Sequence, residues 1–249
     1  LGPGATADAI VVPHRSGRAS LFLDDPALPR PVLTDVIGGI SNDIVSAVVD
    51  PTTGLVWVTS GASVAARATN ELLALGPIVS AANPNVARLA VVRRIALTGI
   101  SDGLDTRDMT FDPTGDRAWV LSRRPESVIT LDFSLAAPSA GLAPIGEIFA
   151  VAAGPSRIVR VVIGGRTFLV VTAYDANNVS VVDPDLGLVA TVAGLTGPFE
   201  MAFDPSRNWL FVTNFRSSTI GVVDLAPLAT SESPRLIAVL APPTPPSPF

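Results

Sequence analysis

Apolar residues in this chain come in runs of four to seven, each broken by Arg, Asp, Gly or Pro. Runs of that length bounded by turn formers predict short β-strands. The pattern is clearest in three stretches, Val49–Ser60, Phe111–Ser122 and Phe203–Asn214. Each reads as a strand ending in Asp-Pro, a short turn and a second strand. Seven residues after Asp50, Asp112 and Asp204 stand Trp57, Trp119 and Phe211, and thirteen residues beyond the last two stand Asp132 and Asp224. The same thirteen-residue interval joins Val170 to Asp183 and Val11 to Asp24. Five units therefore begin their second strand at Val11, Trp57, Trp119, Val170 and Phe211, at spacings of 46, 62, 51 and 41 residues. Further strand-like runs follow, such as Ile145–Val151 and Leu188–Val192. Helical periodicity is confined to Ser63–Leu75, inside the longest spacer. Asn70 stands there where the unit's Asp is due, and an insertion is expected.

Four short strands every ~40–50 residues is the period of a propeller blade. The expected fold class is all-β, a β-propeller of four-stranded antiparallel blades. About five blades are encoded in one domain, around residues 8–37, 41–97, 106–151, 157–192 and 198–240, ahead of a Pro-rich tail at 241–249. A ring of such sheets hides the apolar edges that an open stack would expose. The first blade is expected to lack its innermost strand, because Leu1 to Ala7 is short and turn-like. Three explanations stay open: a five-bladed ring with an imperfect seam, a piece of a longer chain, or a ring completed by another chain. The start at Leu1, with no charged and apolar leader pattern, carries the expectation of a processed chain or a piece of a longer one.

The run Leu210-Phe-Val-Thr-Asn214, followed by Ser218–Asp224 and a strand toward the next unit, resembles the YVTN-type propeller repeat of bacterial and archaeal surface and periplasmic proteins. The resemblance covers most of the chain in about five degenerate units. The Thr-Asn pair is intact at Thr213-Asn214 and becomes Thr59-Ser60, Leu121-Ser122, Thr172-Ala173 and Pro13-His14 elsewhere. The resemblance implies a propeller fold and a periplasmic or extracellular, cell-surface location. It does not imply one activity, since propellers host many.

Composition narrows the chemistry. Hydrophobic residues make up 48% of the 249, yet no window approaches the ~18 uninterrupted apolar residues of a membrane-spanning helix. With no Cys, disulfides, thiolate nucleophiles and iron–sulfur ligation are excluded. The single histidine, His14, excludes His-rich metal sites and any Ser–His–Asp triad that does not use it. Lys and Gln are absent, and 17 Arg face 22 acidic residues for a net charge of −5. Scattered Arg on an acidic chain is not a nucleic-acid footprint, which needs a basic stripe.

Sorting charges by blade end separates them. Turns between strands one–two and three–four collect Asp, including Asp50, Asp112, Asp183, Asp204 and Asp224. Asp there starts turns by accepting backbone hydrogen bonds. The opposite end, with the two–three turns and blade connections, is mixed. Its expected binding face comprises Arg15, Arg123, Arg124, Arg157, Tyr174, Phe199, Phe215 and Arg216. Aromatics beside Arg suit a protein or glycan partner.

Asp108 and Glu200 hold one repeat position, four residues before Asp112 and Asp204, where the other readable units carry Ser46 and Val159. Resemblance to propeller lactonases implies a divalent cation at this channel mouth. Asp108, Glu200 and Asp43 or Asn42 are then the candidate oxygen ligands for calcium or magnesium. The alternative is that these carboxylates pair with Arg107, Arg157, Arg123 or Arg216 as solvated salt bridges. No catalytic residue is assigned; for acid–base chemistry the candidates are His14 and Glu200.

The leading expectation is a non-enzymatic, extracytoplasmic scaffold presenting a loop face to a protein or glycan, with no cofactor. One alternative is a metal-dependent, lactonase-like hydrolase. Another is a subunit, in a homo- or hetero-oligomer, of a larger surface or electron-transfer assembly in which another chain completes the ring.

Overall fold

The computed structural model describes residues 8–14, 16–24, 29–40, 43–61, 71–80, 83–97, 99–100, 104–133 and 145–242. They form antiparallel sheets whose strands are joined in sequence order. The first sheet has three strands among the described residues, β1 (Asp8–His14), β2 (Arg18–Asp24) and β3 (Val32–Ile37). The second holds β4 (Ile44–Val49), β5 (Val56–Ser60), β6 (Glu71–Ser80) and β7 (Asn83–Ala96). The third holds β8 (Thr106–Phe111), β9 (Arg117–Arg123), β10 (Glu126–Asp132) and β11 (Ile145–Ala150). The fourth holds β12 (Pro155–Ile163), β13 (Arg166–Ala173), β14 (Asn178–Asp183) and β15 (Gly187–Val192). The fifth holds β16 (Pro198–Asp204), β17 (Trp209–Asn214), β18 (Thr219–Asp224) and β19 (Arg235–Leu240). A 3-10 turn at Ala226–Thr230 links β18 to β19.

The burial pattern explains the apolar runs. The middle strands β9, β10, β13 and β14 are buried along almost their whole length, while the outermost β11, β15 and β19 are largely exposed. A strand covered on both faces needs apolar side chains at successive positions instead of alternating ones.

The chain divides into two compact units: Leu1–Val120 with Thr130–Gly146, and Leu121–Ile129 with Glu147–Phe249. In the first, Ala19, Leu21, Ile44, Val58, Leu73 and Leu75 share a core. Beside it the Phe133 ring meets Trp57 edge-on at 5.2 Å and lies 5.7 Å from Phe111. In the second, Val161, Phe168, Val170, Val181, Leu210 and Val223 close around one another.

The turn aspartates do what their positions predict. Asp50 accepts the N–H groups of Thr52 and Thr53 and the Thr53 hydroxyl. Asp112 accepts from Thr114 Oγ1 and Arg117 N, Asp183 from Asp185 N, and Asp224 from Ala226 N. Asp204 accepts from the N–H and hydroxyl of Ser206 and from Arg207.

Two details depart from the sequence expectation. The helical candidate Ser63–Leu75 ends in strand: 71–75 belong to β6, and 62–70 lie outside the described residues. In β5–β6, Trp57 pairs with Ala74, a span of 17 residues, where Phe211 pairs with Val222, a span of 11. The six additional residues are the expected insertion. They move Asn70 off the repeat's Asp position and leave tertiary burial of Leu72, Leu73 and Leu75 to decide for strand.

Two predictions follow from the core and the turns. Leu210, fully buried, loses cavity-lining contacts on substitution. Leu210→Ala therefore lowers stability by about 3 kcal/mol in urea unfolding, while Leu186→Ala, at a side chain 72% exposed, changes it by under ~0.5 kcal/mol. The Ser206 hydroxyl, the Arg207 guanidinium and the N–H groups of both hold Asp204 down to about 2 from 3.8. At Asp50 burial opposes ionisation, but the bonds from Thr53 and Thr52 outweigh it and lower the pKa. Both folded-state values lie below the unfolded one. Their stabilisation is thus complete above 3.8 and is lost as pH falls toward the folded values. Carbon-13 NMR of the Asp204 carboxyl should give a midpoint near 2, and Ser206→Ala should move it back toward 3.8.

Candidate functional site

The end of the second unit opposite its Asp turns is assembled by backbone bonds. Tyr174 N donates to Gly154 O at 2.9 Å, and Phe215 N donates to Gly197 O at 2.9 Å. Each two–three turn is thereby tied to the segment that enters its own blade. Asn177, in the left-handed region at φ 56°, accepts Gly197 N at 2.8 Å, so the turn of the fourth blade also holds the entry to the fifth. Asn214 accepts Thr196 N at 3.0 Å and donates to Thr219 Oγ1 at 3.1 Å. That gives a physical role to the one intact Thr-Asn pair. Gly197 sits at φ 62°, and a Cβ there would stand 2.8 Å from Arg216 Cγ and 3.1 Å from Tyr174 Cε2. Only glycine lets the chain pass that close at that angle.

On this base the expected face comes together. Phe215 lies 6.2 Å from Tyr174 and 6.3 Å from Phe199, ring centre to ring centre. Arg216 stacks over Tyr174 at 4.5 Å, and Arg157 over Phe199 at 5.0 Å, within the range of a cation–π contact. Asp175 receives Arg123 at 2.7 Å and Arg216 at 3.6 Å. Phe215 is 70% exposed, an unusual setting for a phenyl ring on an ordered turn. Arg124 is exposed on the β9–β10 turn, where its backbone N–H and C=O both bond to Ser122 Oγ. Arg15 and Asn42 lie outside the described residues.

The metal candidates are arranged differently from the sequence expectation. Thr172 Oγ1 accepts Arg157 N at 3.1 Å, and Thr213 Oγ1 accepts Glu200 N at 2.9 Å. Arg157, not Val159, therefore matches Glu200. The count back from the β12–β13 turn misplaced it because that turn is the two-residue Gly164-Gly165, while β16 and β17 are joined by four residues, 205–208. By the same register Ser46 stands opposite Thr59. The repeat position thus holds Ser46, Asp108, Arg157 and Glu200.

These residues pair between neighbouring blades. Ser46 Oγ donates to Asp108 Oδ1 at 2.5 Å, and Arg157 Nε donates to Glu200 Oε1 at 2.7 Å. Asp108 also accepts its neighbour Met109 N at 3.0 Å and is buried. Asp43 binds Gly61 N through its backbone carbonyl, and its carboxylate flanks Gly61 together with that of Asp105, which is paired to Arg107 at 2.6 Å. Among the described residues no three His, Cys, Asp or Glu side chains come together as a metal-ligand set. His14 Nε2 lies 2.8 Å from Ser20 Oγ at the β1–β2 hairpin. The Arg157–Glu200 pair is the expected alternative to a cation at Glu200, whereas the Asp175 shared by Arg123 and Arg216 is a feature that sequence reading missed, because it needs the blade-to-blade register.

No protein-family model matches the sequence, and no curated protein matches it at significance. Solved structures do. The chain is similar to a functionally unknown protein from Desulfotomaculum acetoxidans, with 19% identity, a TM-score of 0.66 and coverage of 95% of this chain and 66% of that one. It is similar to a candidate 6-phosphogluconolactonase from Bacteroides fragilis, with 12% identity, a TM-score of 0.68 and coverage of 97% and 69%. It is also similar to virginiamycin B lyase from Staphylococcus aureus, with 12% identity, a TM-score of 0.57 and coverage of 96% and 71%. The chain spans about two thirds of the length of these structures. At such identities the likeness speaks for the fold alone, and that fold is the β-propeller.

Proposed function

We propose that this protein is a non-enzymatic propeller scaffold that binds a protein or glycan partner through the loop face around Phe215. The observation that carries this reading is the exposed Phe215 ring, held against Tyr174 and Phe199 with Arg216 and Arg157 stacked on its neighbours. Rigid aromatics flanked by Arg are the residues that dominate binding energy at interfaces. Here they are fixed in advance, so little ordering entropy opposes association. The resemblance to the YVTN-type repeat supports a setting outside the cytoplasm. The cation-dependent hydrolase reading draws no support from positions already occupied by Ser46–Asp108 and Arg157–Glu200 bonds.

A random peptide library and a glycan array, each probed with the protein and with its Phe215→Ser variant, test the proposal. Binders enriched on the parent and lost, by tenfold or more in affinity, on Phe215→Ser are expected. Binders that ignore the substitution would overturn it, as would none at all.

A second reading, a subunit whose first blade is completed by another chain, is favoured by the three-stranded first sheet among the described residues. β1 is an edge of that sheet among the described residues, and a sheet edge is a template for a foreign strand. Light scattering after size exclusion should then show a multimer; a monomer at every concentration removes this reading.

A further inference from the structure

The inference here rests on the binding-face reading above and names the partner's chemistry. Charge in the second unit differs between its two ends. The turn end gathers Asp183, Asp185, Asp204 and Asp224, three of them paired with Arg166, Arg207 and Arg235, while the loop end gathers Arg123, Arg124, Arg157 and Arg216 against Glu126, Asp175 and Glu200. On a chain of net charge −5, this loop face carries one guanidinium more than it has carboxylates.

Its hydrogen-bonding capacity is also one-sided. A guanidinium carries five N–H donors and no acceptor. Arg123 and Arg216 share the single carboxylate of Asp175, at 2.7 and 3.6 Å, so both keep donors for a further acceptor. Arg124 forms no ion pair among the described residues. Of the face's three carboxylates, Asp175 and Glu200 are engaged by arginines and Glu126 is exposed at the start of β10, so donors outnumber acceptors. A sugar presents hydroxyls that need acceptors as well as donors, whereas an ionised carboxylate needs donors only. At the centre, Phe215 and Phe199 offer apolar ring faces with no polar tip, which suit an apolar side chain.

We propose that this face recognises an acidic peptide segment of a partner protein. A bulky apolar side chain of that segment packs on Phe215, and flanking Asp or Glu carboxylates take donors of Arg123 and Arg216. Asp175 is then an internal competitor: it holds both guanidiniums in place when the face is empty and repels the incoming carboxylates. Removing its charge while keeping its shape should strengthen binding.

The test uses fluorescence anisotropy with three labelled probes. One is a peptide with a central Leu-Phe pair flanked by two Glu on each side, the second its Gln counterpart, and the third an oligogalacturonate of similar charge. Expected are binding of the Glu peptide at least tenfold tighter than the Gln peptide at ~50 mM salt and a narrowing of that gap at ~200 mM. Asp175→Asn should tighten the Glu peptide about threefold or more, and Arg216→Ala should weaken it about tenfold. Circular dichroism establishes that both variants are folded. Equal affinity for the Glu and Gln peptides, or a preference for the oligogalacturonate, overturns the acidic-peptide assignment. If Phe215→Ser still abolishes binding in that case, the binding face itself stands. Loss of the Phe215 dependence removes both.

Discussion

The constraint on which this molecule depends is that the middle strands of its blades are apolar on both faces. Val170, Val171, Val181 and Val182 are all fully buried although they are neighbours along their strands. A single sheet in water covers neither face, so such a strand is stable only between other layers. Each buried side chain of this size contributes roughly 1.5–3 kcal/mol. In the second unit the fourth and fifth sheets cover one another through Val161, Val170 and Val181 on one side and Leu210 and Val212 on the other. Once the faces of the middle strands are committed to burial, solvent and partners are met by the outermost strands and by the strand ends.

The two ends are then built by different means. At the Asp end the turns after Asp50, Asp112 and Asp204 are closed locally by a carboxylate that accepts N–H groups two to five residues ahead. At the loop end the bonds are long-range. Thr172 Oγ1 donates to Phe199 O at 2.8 Å, and Asn177 takes Gly197 N at 2.8 Å, so one blade fixes the next. Aromatic and Arg side chains are therefore carried by a stitched framework and not by free loops.

How much of this was legible follows from the same distinction. The strand repeat could be read because local turn closure ties Asp to fixed distances from Trp57, Trp119 and Phe211. The loop face was legible as far as Tyr174 and Phe215 open equivalent two–three turns, immediately after Ala173 and Asn214. Two placements were not. Val159 was put in the place of Arg157 because Gly164-Gly165 makes a turn two residues shorter than that of the fifth blade. Residues 71–75 were read with a helix because Leu72, Leu73 and Leu75 satisfy helical spacing and a twice-buried strand alike, and only tertiary cover separates the two. Ion pairing of Glu200 was legible but the choice among four arginines was not, because Arg157 and Glu200 are 43 residues apart and meet only through blade packing.

That pairing bears on what the repeat position of Glu200 can do. Glu200 is half exposed, and its Arg157 partner also lies over Phe199, so one guanidinium serves a carboxylate and a ring together. An exposed pair of this kind adds little to stability, about 0–1 kcal/mol. Its larger effect is position: Arg157 is held over the Phe199 ring, with its guanidinium carbon 5.0 Å from the ring centre. The same holds for Arg216, which lies over Tyr174 and reaches toward Asp175. Glu200, a carboxylate that a cation-binding reading would claim, thus joins Asp175 in setting the geometry of an arginine and aromatic surface.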